Sequence, residues 1–321
     1  MKKRVLTIII ILMMLSGLSL LLYPTVSSYI LSLSYRRVIS NYQSGVAALD
    51  DDTYERLLAE ARAYNERLAA KSLRMVDPTD KELEEYYSML DPMGSGVMGY
   101  VVIPKVNIFL PIYHGVSEGV LQIGVGHLPG SSLPVGGKGT HTILSGHRGL
   151  VSSRLFTDID QLVEGDVFTL RVLNEVLTYQ VDQIITALPS EVSQQKIEAD
   201  QDYCTLLTCT PYGINTHRLL VRGHRIPTPE NAVEEIEELL DDGLIFGIPA
   251  KLFWLIVAAV ILLAAILAAV LVRRWKRNRY QPKRLKEKGS GQSAEITDSA
   301  ESDENIESAG DIENSEADGE R

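Results

Sequence analysis

The chain has 321 residues, an apolar fraction of 45% and a formal net charge of −11. That apolar fraction supports a folded core and excludes a wholly disordered protein. The acidic balance argues against a nucleic-acid binder, because phosphate contacts need clustered Lys and Arg. The basic residues that do cluster stand beside apolar runs, which indicates a membrane.

Two uncharged apolar runs, residues 5–23 and 252–272, are each long enough to cross a bilayer as a helix. Lys2, Lys3 and Arg4 precede the first run, and a basic block follows the second. The positive-inside rule therefore predicts cytoplasmic termini and an extracellular portion held at the cell membrane. A cleaved signal peptide at the first run is an alternative that leaves this sidedness unchanged.

Composition divides the chain into seven parts. They are a cytoplasmic N-terminus (1–4), a transmembrane helix or signal anchor (5–23), an extracellular helical segment (24–92), a β domain (93–228), a juxtamembrane linker (229–251), a transmembrane helix (252–272) and a cytoplasmic tail, basic and then acidic (273–321). The acidic end, residues 289–321, is too polar to bury a core, so we predict a disordered tail; an interaction tail is the alternative.

Residues 35–90 have a helical pattern, with Asp52 placed like a capping residue and a break predicted at Asp77-Pro78 before a short second helix. Apolar residues recur there at steps of four, three and four: Leu57, Ala61, Tyr64 and Leu68.

In the β domain that follows, the pair Asn174-Glu175 is placed to close a tight hairpin. Beyond residue 93, short β-rich runs separated by Gly and Pro predict seven or eight strands and a mainly β barrel or sandwich. These runs are 97–103, 108–113, 142–144, 168–173, 176–184, 203–208 and 217–223.

The two cysteines, Cys204 and Cys209, are predicted to share one strand. At about 3.3 Å per residue their Cα atoms are then about 16 Å apart, beyond the roughly 7 Å that a disulfide spans. Their odd offset directs them to opposite faces. We therefore expect Cys204 to be a core residue, and Cys209, just before a turn, to be the candidate for chemistry.

A cysteine becomes a nucleophile when a cation favours its thiolate and a base accepts its proton. The strand after the turn can bring either His217 or Arg218 beside Cys209, and alternation alone leaves that choice open. Six histidines compete for the role of base: His114, His127, His141, His147, His217 and His224. His147 has the most favourable local setting, at the end of a β run and flanked by glycines.

The residues around these positions resemble the sortase family. The string 205–209 resembles its TLxTC signature, and His147 and Arg218 match the family's spacing from Cys209. Longer strings at 98–104, 144–150 and 209–218 resemble class C sortases, the pilin polymerases of Gram-positive bacteria, over residues 35–226. The resemblance implies a closed eight-stranded barrel in which Cys209 is the nucleophile, His147 the general acid/base and Arg218 the residue that stabilises the oxyanion and substrate.

Class C sortases carry a lid before the barrel, in which an Asp-Pro-aromatic motif covers the cleft and its aspartate pairs with the catalytic arginine. Asp77, Pro78 and Thr79 stand in the corresponding region, with Thr79 in place of the aromatic residue. The resemblance thus implies an Asp77–Arg218 pair without an aromatic plug; a helix break is the alternative role. The string 91–93, also Asp-Pro, is interpreted as the turn into the barrel.

The resemblance further implies transpeptidation without a metal or organic cofactor. The enzyme would cleave an LPxTG-like sorting signal of a pilin precursor through a thioacyl-enzyme and join it to a lysine amine of the next pilin, building covalent pili. A housekeeping-type sortase that anchors proteins to cell-wall peptide is the alternative enzyme, and a non-catalytic membrane scaffold the alternative class. The chain has no zinc-spaced Cys/His cluster, glycine-rich phosphate loop or EF-hand string.

Overall fold

The computed structural model describes residues 2–71, 77–150, 152–229, 244–245 and 248–279. Its α-helices are α1 (Lys2–Ala47), α2 (Asp51–Lys71), α3 (Asp80–Ser88), α4 (Glu118–Ile123) and α5 (Ala250–Arg279). Its strands are β1 (Val97–Ile103), β2 (Ile108–His114), β3 (Val125–His127), β4 (Thr140–Ser145), β5 (Val167–Val172), β6 (Glu175–Ala187), β7 (Asp202–Thr210), β8 (His217–Ile226), β9 (Leu244–Ile245) and β10 (Ile248–Pro249). The predicted acidic tail and most of the predicted linker lie outside the described residues.

Eight strands close into one barrel in the order β1-β2-β3-β4-β7-β8-β6-β5. The pairs β2/β3 and β4/β7 are parallel, and the other neighbours are antiparallel. The predicted closed eight-stranded barrel is therefore confirmed. The sequence pattern missed β3 and α4, and it placed the hairpin one residue late, since the two-residue turn between β5 and β6 is Leu173-Asn174.

Alternation along β7 divides its side chains between two clusters. Cys204 and Leu206 pack in the main core with residues of the other barrel strands. Leu207 points the opposite way and joins a second cluster with Ile143 and Leu220. Because successive side chains of a strand point to opposite faces, Cys209 lies on the same face as Leu207.

The N-terminal helices are fixed to the barrel by buried hydrogen bonds. The Tyr42 hydroxyl donates to the Met98 carbonyl at 2.8 Å and accepts from the Leu173 amide at 2.7 Å. On α2, the Asn65 side chain both donates to the Leu133 carbonyl and accepts from its amide. Buried polar groups need such partners, so these contacts specify where each helix docks.

The helix boundaries differ from the sequence prediction at one place. A break separates α1 from α2, and Asp50, rather than Asp52, caps α2 by accepting from the Thr53 amide at 2.8 Å. The second break is present, since residues 77–79 are non-helical and α3 begins at Asp80. Apolar periodicity does not reveal the first break because buried side chains continue on both sides of it.

Two helices are long and apolar enough to cross a membrane by length and composition. The candidate spans are Ile9–Ala47 in α1 and Phe253–Lys276 in α5. The two helices meet where the Tyr29 ring packs edge-on against Trp254, with 5.7 Å between the ring centroids. Tyr and Trp are enriched at membrane interfaces, so this contact fits the predicted placement of both helices.

Two buried histidines make the stability of the fold sensitive to acid. Burial lowers the pKa of His127 and of His141, each from 6.5 to about 4. His127 Nε2 donates to the Ser132 carbonyl at 2.8 Å, and His141 Nδ1 donates to the Lys196 carbonyl at 2.7 Å. The second nitrogen of each ring faces a hydroxyl, which stabilises the neutral form.

We expect the free energy of unfolding to fall as the pH drops from 6.5 towards 4. In that window the unfolded chain binds protons at His127 and His141 while the folded chain does not. Each histidine therefore lowers the free energy of unfolding by up to about 1.4 kcal/mol for every pH unit of the drop. Thermal unfolding of the full chain in detergent between pH 7.5 and 5 measures this dependence. His141→Gln should flatten it; an unchanged slope would contradict the assignment.

Candidate active site

Strand register places three predicted site residues in one row across β4, β7 and β8. The parallel pairing of β4 with β7 runs from Thr140 opposite Asp202 to Ser145 opposite Leu207, and two further residues bring His147 level with Cys209. On the other side, Cys209 pairs directly with Arg218. Side chains paired across strands share a face, so the base candidate and the cation candidate flank the thiol.

Two hydrogen bonds extend the alignment of β4 and β7 beyond the last paired residues. The Gly146 amide donates to the Leu207 carbonyl at 3.0 Å, and the buried Thr208 hydroxyl donates to the Gly146 carbonyl at 2.7 Å. A side chain at residue 146 would meet the Phe156 ring, since an added Cβ would lie 2.6 Å from it. Glycine is therefore required immediately before His147.

The two cysteines differ in burial and both are free. Cys204 is fully buried, and burial raises the pKa of its thiol well above 9. Cys209 is half-buried on the opposite face. A thiolate is the reactive form, so Cys209 is the cysteine that can act as a nucleophile.

The structure shows which of the two residues, His217 or Arg218, lies beside Cys209. Arg218 is the partner of Cys209, whereas His217 pairs with Thr210 on the other face. One guanidinium nitrogen of Arg218 donates to the carbonyls of Asn215 and His217, at 3.2 and 3.1 Å. Asn215 has a left-handed backbone (φ 63°), which turns its carbonyl towards the guanidinium.

The remaining histidines have other environments. His114, His127 and His141 are buried and hydrogen-bonded. His224 lies on β8 beside Asp182, at 3.8 Å. His147 is therefore the histidine that the strand register brings level with Cys209, and the carboxylate nearest to it is that of Glu118, 3.4 Å from Nε2. Sequence reasoning missed Glu118, because one acidic residue at the start of a six-residue helix has no distinctive pattern.

This geometry agrees with comparisons to known proteins. A family model described as a sortase domain matches residues 101–226. The fold is similar to the crystal structure of sortase C1 from Streptococcus agalactiae, with 52% identity and a TM-score of 0.58 over 60% of this chain and all of that one. The chain is a class C member of the sortase family.

Two further sortase C structures are similar over an equal share of this chain. Sortase C of Streptococcus pneumoniae is 44% identical, with a TM-score of 0.53 over 60% of this chain and 97% of that one. A Clostridium perfringens sortase C structure is 43% identical, with a TM-score of 0.52 over 60% of this chain and 99% of that one. Membership in the family makes this chain a cysteine transpeptidase.

In this sortase, Arg148 connects the loop after the histidine to the turn after the cysteine. Its side chain, 9% exposed, forms an ion pair with Asp160 and donates to the Thr210 hydroxyl at 3.3 Å. Its guanidinium carbon lies 5.8 Å from the centre of the Tyr212 ring. A planar cation can serve a carboxylate, a hydroxyl and a ring at once, so lysine would not replace it.

The predicted lid residues lie before α3. Asp77 is exposed, and among the described residues the hydrogen bonds of Arg218 go to the carbonyls of Asn215 and His217 and not to Asp77. Thr79 is the N-cap of α3 and forms a capping box with Glu82. The Asp77–Arg218 pair therefore stays a prediction, and Thr79 has a local structural role. Within the described residues, no group of three His, Cys, Asp or Glu side chains could hold a metal ion.

We expect one of the two thiols to react in the native sortase. Iodoacetamide should alkylate Cys209 once, while the buried Cys204 should react only after unfolding. Intact-mass analysis of the full chain and of the matched variants Cys209→Ala and Cys204→Ala distinguishes the two sites. Native labelling that persists in Cys209→Ala would contradict this assignment.

Proposed function

We propose that this sortase is a membrane-anchored pilin polymerase that cleaves an LPxTG-like sorting signal and joins it to a lysine amine of another pilin. The observation that carries the proposal is the row of His147, Cys209 and Arg218 in a class C fold. Two relatives support the substrate class. The Streptococcus pneumoniae structure is described as bearing on pilin substrate specificity, and the Clostridium perfringens structure includes a C-terminal cell wall sorting motif.

In the first half-reaction, the Cys209 thiol gives its proton to His147 and its sulfur attacks the threonine carbonyl carbon. Negative charge develops on the carbonyl oxygen, where Arg218 can donate hydrogen bonds from the nitrogens that do not serve the turn carbonyls. The carbon–nitrogen bond to glycine then breaks. His147 returns the proton to the departing glycine amine, and the signal remains on the enzyme as a thioester.

The second half-reaction reverses the roles of the same groups. A lysine amine of the next pilin attacks the thioester carbon and loses a proton to His147. The carbon–sulfur bond breaks, the cysteine regains its thiol proton, and the product is an isopeptide bond. The thiol proton leaves with the glycine amine and is replaced, through His147, by a proton from the lysine amine, so the enzyme returns to its starting state and no atom changes its oxidation state.

Membrane anchoring through α1 and α5 would place the enzyme in the same plane as membrane-held pilin precursors. Both candidate spans adjoin basic residues, with Lys2 to Arg4 before the first and Arg273 and Arg274 at the end of the second. This asymmetry favours cytoplasmic termini and an extracellular barrel. Confinement to one surface raises the effective concentration of enzyme and substrate.

The lid residues Asp77, Pro78 and Thr79 complete the proposal. The Asp77 carboxylate can pair with the Arg218 guanidinium when the segment closes over the cleft. The absence of an aromatic residue at Thr79 leaves the cleft without a stacking plug. We therefore propose a lid held by charge, which a substrate can displace more easily than a packed aromatic ring.

The transfer reaction tests the three assigned roles. Incubation of the full chain with a sorting-signal peptide and a lysine-containing pilin fragment should give an isopeptide product, detected by mass spectrometry. Cys209→Ala should abolish the thioester and the product, while His147→Ala and Arg218→Ala should lower the rate about 100-fold or more. Cys204→Ala is the matched control and should retain activity.

The same assay distinguishes the alternative acceptor. A product formed with cell-wall peptide but not with the pilin lysine would replace pilin polymerisation by cell-wall anchoring. Product formation by Cys209→Ala would contradict the nucleophile assignment itself.

A second measurement tests the lid. Asp77→Ala should speed the alkylation of Cys209, because removing the carboxylate opens the cleft. The control Asp80→Ala changes a nearby carboxylate at the start of α3 and should leave the rate unchanged. Equal alkylation rates for the wild type and Asp77→Ala would contradict the lid assignment.

A further inference from the structure

A carboxylate from α4 approaches the imidazole of His147. Glu118 Oε1 lies 3.4 Å from His147 Nε2, within ion-pair distance but longer than a typical N–H···O hydrogen bond. Nε2 is buried and has no hydrogen-bond partner among the described residues. A buried ring nitrogen without a partner is costly, so the nearest acceptor has a specific role to fill.

Two hydrogen bonds fix the backbone that presents Glu118. Ser117 caps α4 through its hydroxyl, which accepts from the Val120 amide at 3.4 Å. Before it, the Gly115 amide donates to the Tyr86 hydroxyl at 2.9 Å. Tyr86 belongs to α3 and is fully buried, so the helical segment anchors the loop that carries the carboxylate.

The carboxylate itself is oriented and ionised. The Gln122 side-chain amide donates to Glu118 Oε1 at 3.1 Å, on the same oxygen that faces His147. The Gln122 hydrogen bond and then the charge of His147 lower the pKa of Glu118. Glu118 is therefore negatively charged at neutral pH, as a partner for an imidazolium must be.

Because Glu118 lies beside Nε2, its charge would select Nδ1 as the nitrogen of His147 that does the chemistry. With Nε2 directed at Glu118, Nδ1 is left to exchange a proton with the Cys209 thiol and with the substrate amine. The neutral ring then carries its proton on Nε2, and uptake of the thiol proton at Nδ1 gives an imidazolium beside a carboxylate. Such a contact orients the base and stabilises its charged form.

We infer that Glu118 is the positioning residue of His147. Its carboxylate keeps the imidazole in the Nε2–H tautomer, and the 3.4 Å contact tightens to a hydrogen bond when Cys209 transfers its proton to Nδ1. The inference rests on the proposed role of His147 as acid and base. The Glu118 side chain is 70% exposed and that of His147 is 24% exposed, so the effect is smaller than that of a buried triad carboxylate.

The test compares two substitutions of Glu118 in the full chain in detergent, with a sorting-signal peptide as substrate. Glu118→Ala removes the acceptor and its charge and should lower kcat about tenfold with KM changed by less than about twofold. Glu118→Gln keeps an acceptor oxygen without the charge and should give an intermediate kcat. Glu164→Gln, an exposed carboxylate elsewhere on the barrel, is the matched control.

Nitrogen-15 NMR of histidine-labelled protein adds a readout that a merely structural role would not move. His147, assigned by its absence in His147→Ala, should show the Nε2–H tautomer in the wild type and a mixture of tautomers in Glu118→Ala. An unchanged kcat in Glu118→Ala, a loss confined to KM, or equal tautomer populations in both proteins would overturn the inference. Activity in Cys209→Ala would instead overturn the proposed function, so the two failures are distinguishable.

Discussion

The candidate site depends on the register of β7 against its two neighbours. His147 lies 62 residues before Cys209 and Arg218 lies nine after it. The three become adjacent only because β4 and β8 pair with β7 at this one alignment. A slip of one residue would turn each side chain to the other face of the sheet and bury the thiol in the core. The Thr208 hydroxyl bond to the Gly146 carbonyl makes such a slip costly, because both groups would lose a buried partner.

The segments beyond the paired strands are held by their own contacts. Arg148 fixes the loop after the histidine to the turn after the cysteine. On the other side, the Tyr86 hydroxyl fixes the loop before α4. A fixed loop lowers the cost of aligning catalytic groups when the substrate arrives. The helical segment thus contributes to the site through α3, in addition to any movement of the lid.

The sequence predicts the longer strands, whose apolar residues form a recognisable pattern, and misses the shortest elements. The β-rich runs predict β1 and β6 to within three residues of their ends, and the offset of five between the cysteines is enough to separate a core thiol from a candidate nucleophile. The three-residue β3 and the six-residue α4 are too short to show a periodic pattern of apolar residues. The sequence therefore gives no indication of Glu118, which lies in α4. The choice of Arg218 over His217 needed the length of the turn, which sets the register of the hairpin but follows no simple composition rule.

The reactivity of the two cysteines is a consequence of position on a single strand. Cys204 lies among the side chains of the main core, where a thiolate would lose its hydration without gaining a cation. Five residues later, Cys209 has Arg218 beside it on one strand and His147 level with it on the other. The chain has a net charge of −11, yet the groups that the sheet brings next to this thiol are basic. Strand register, rather than the total charge, therefore decides which cysteine lies beside Arg218 and His147 and which is a core side chain.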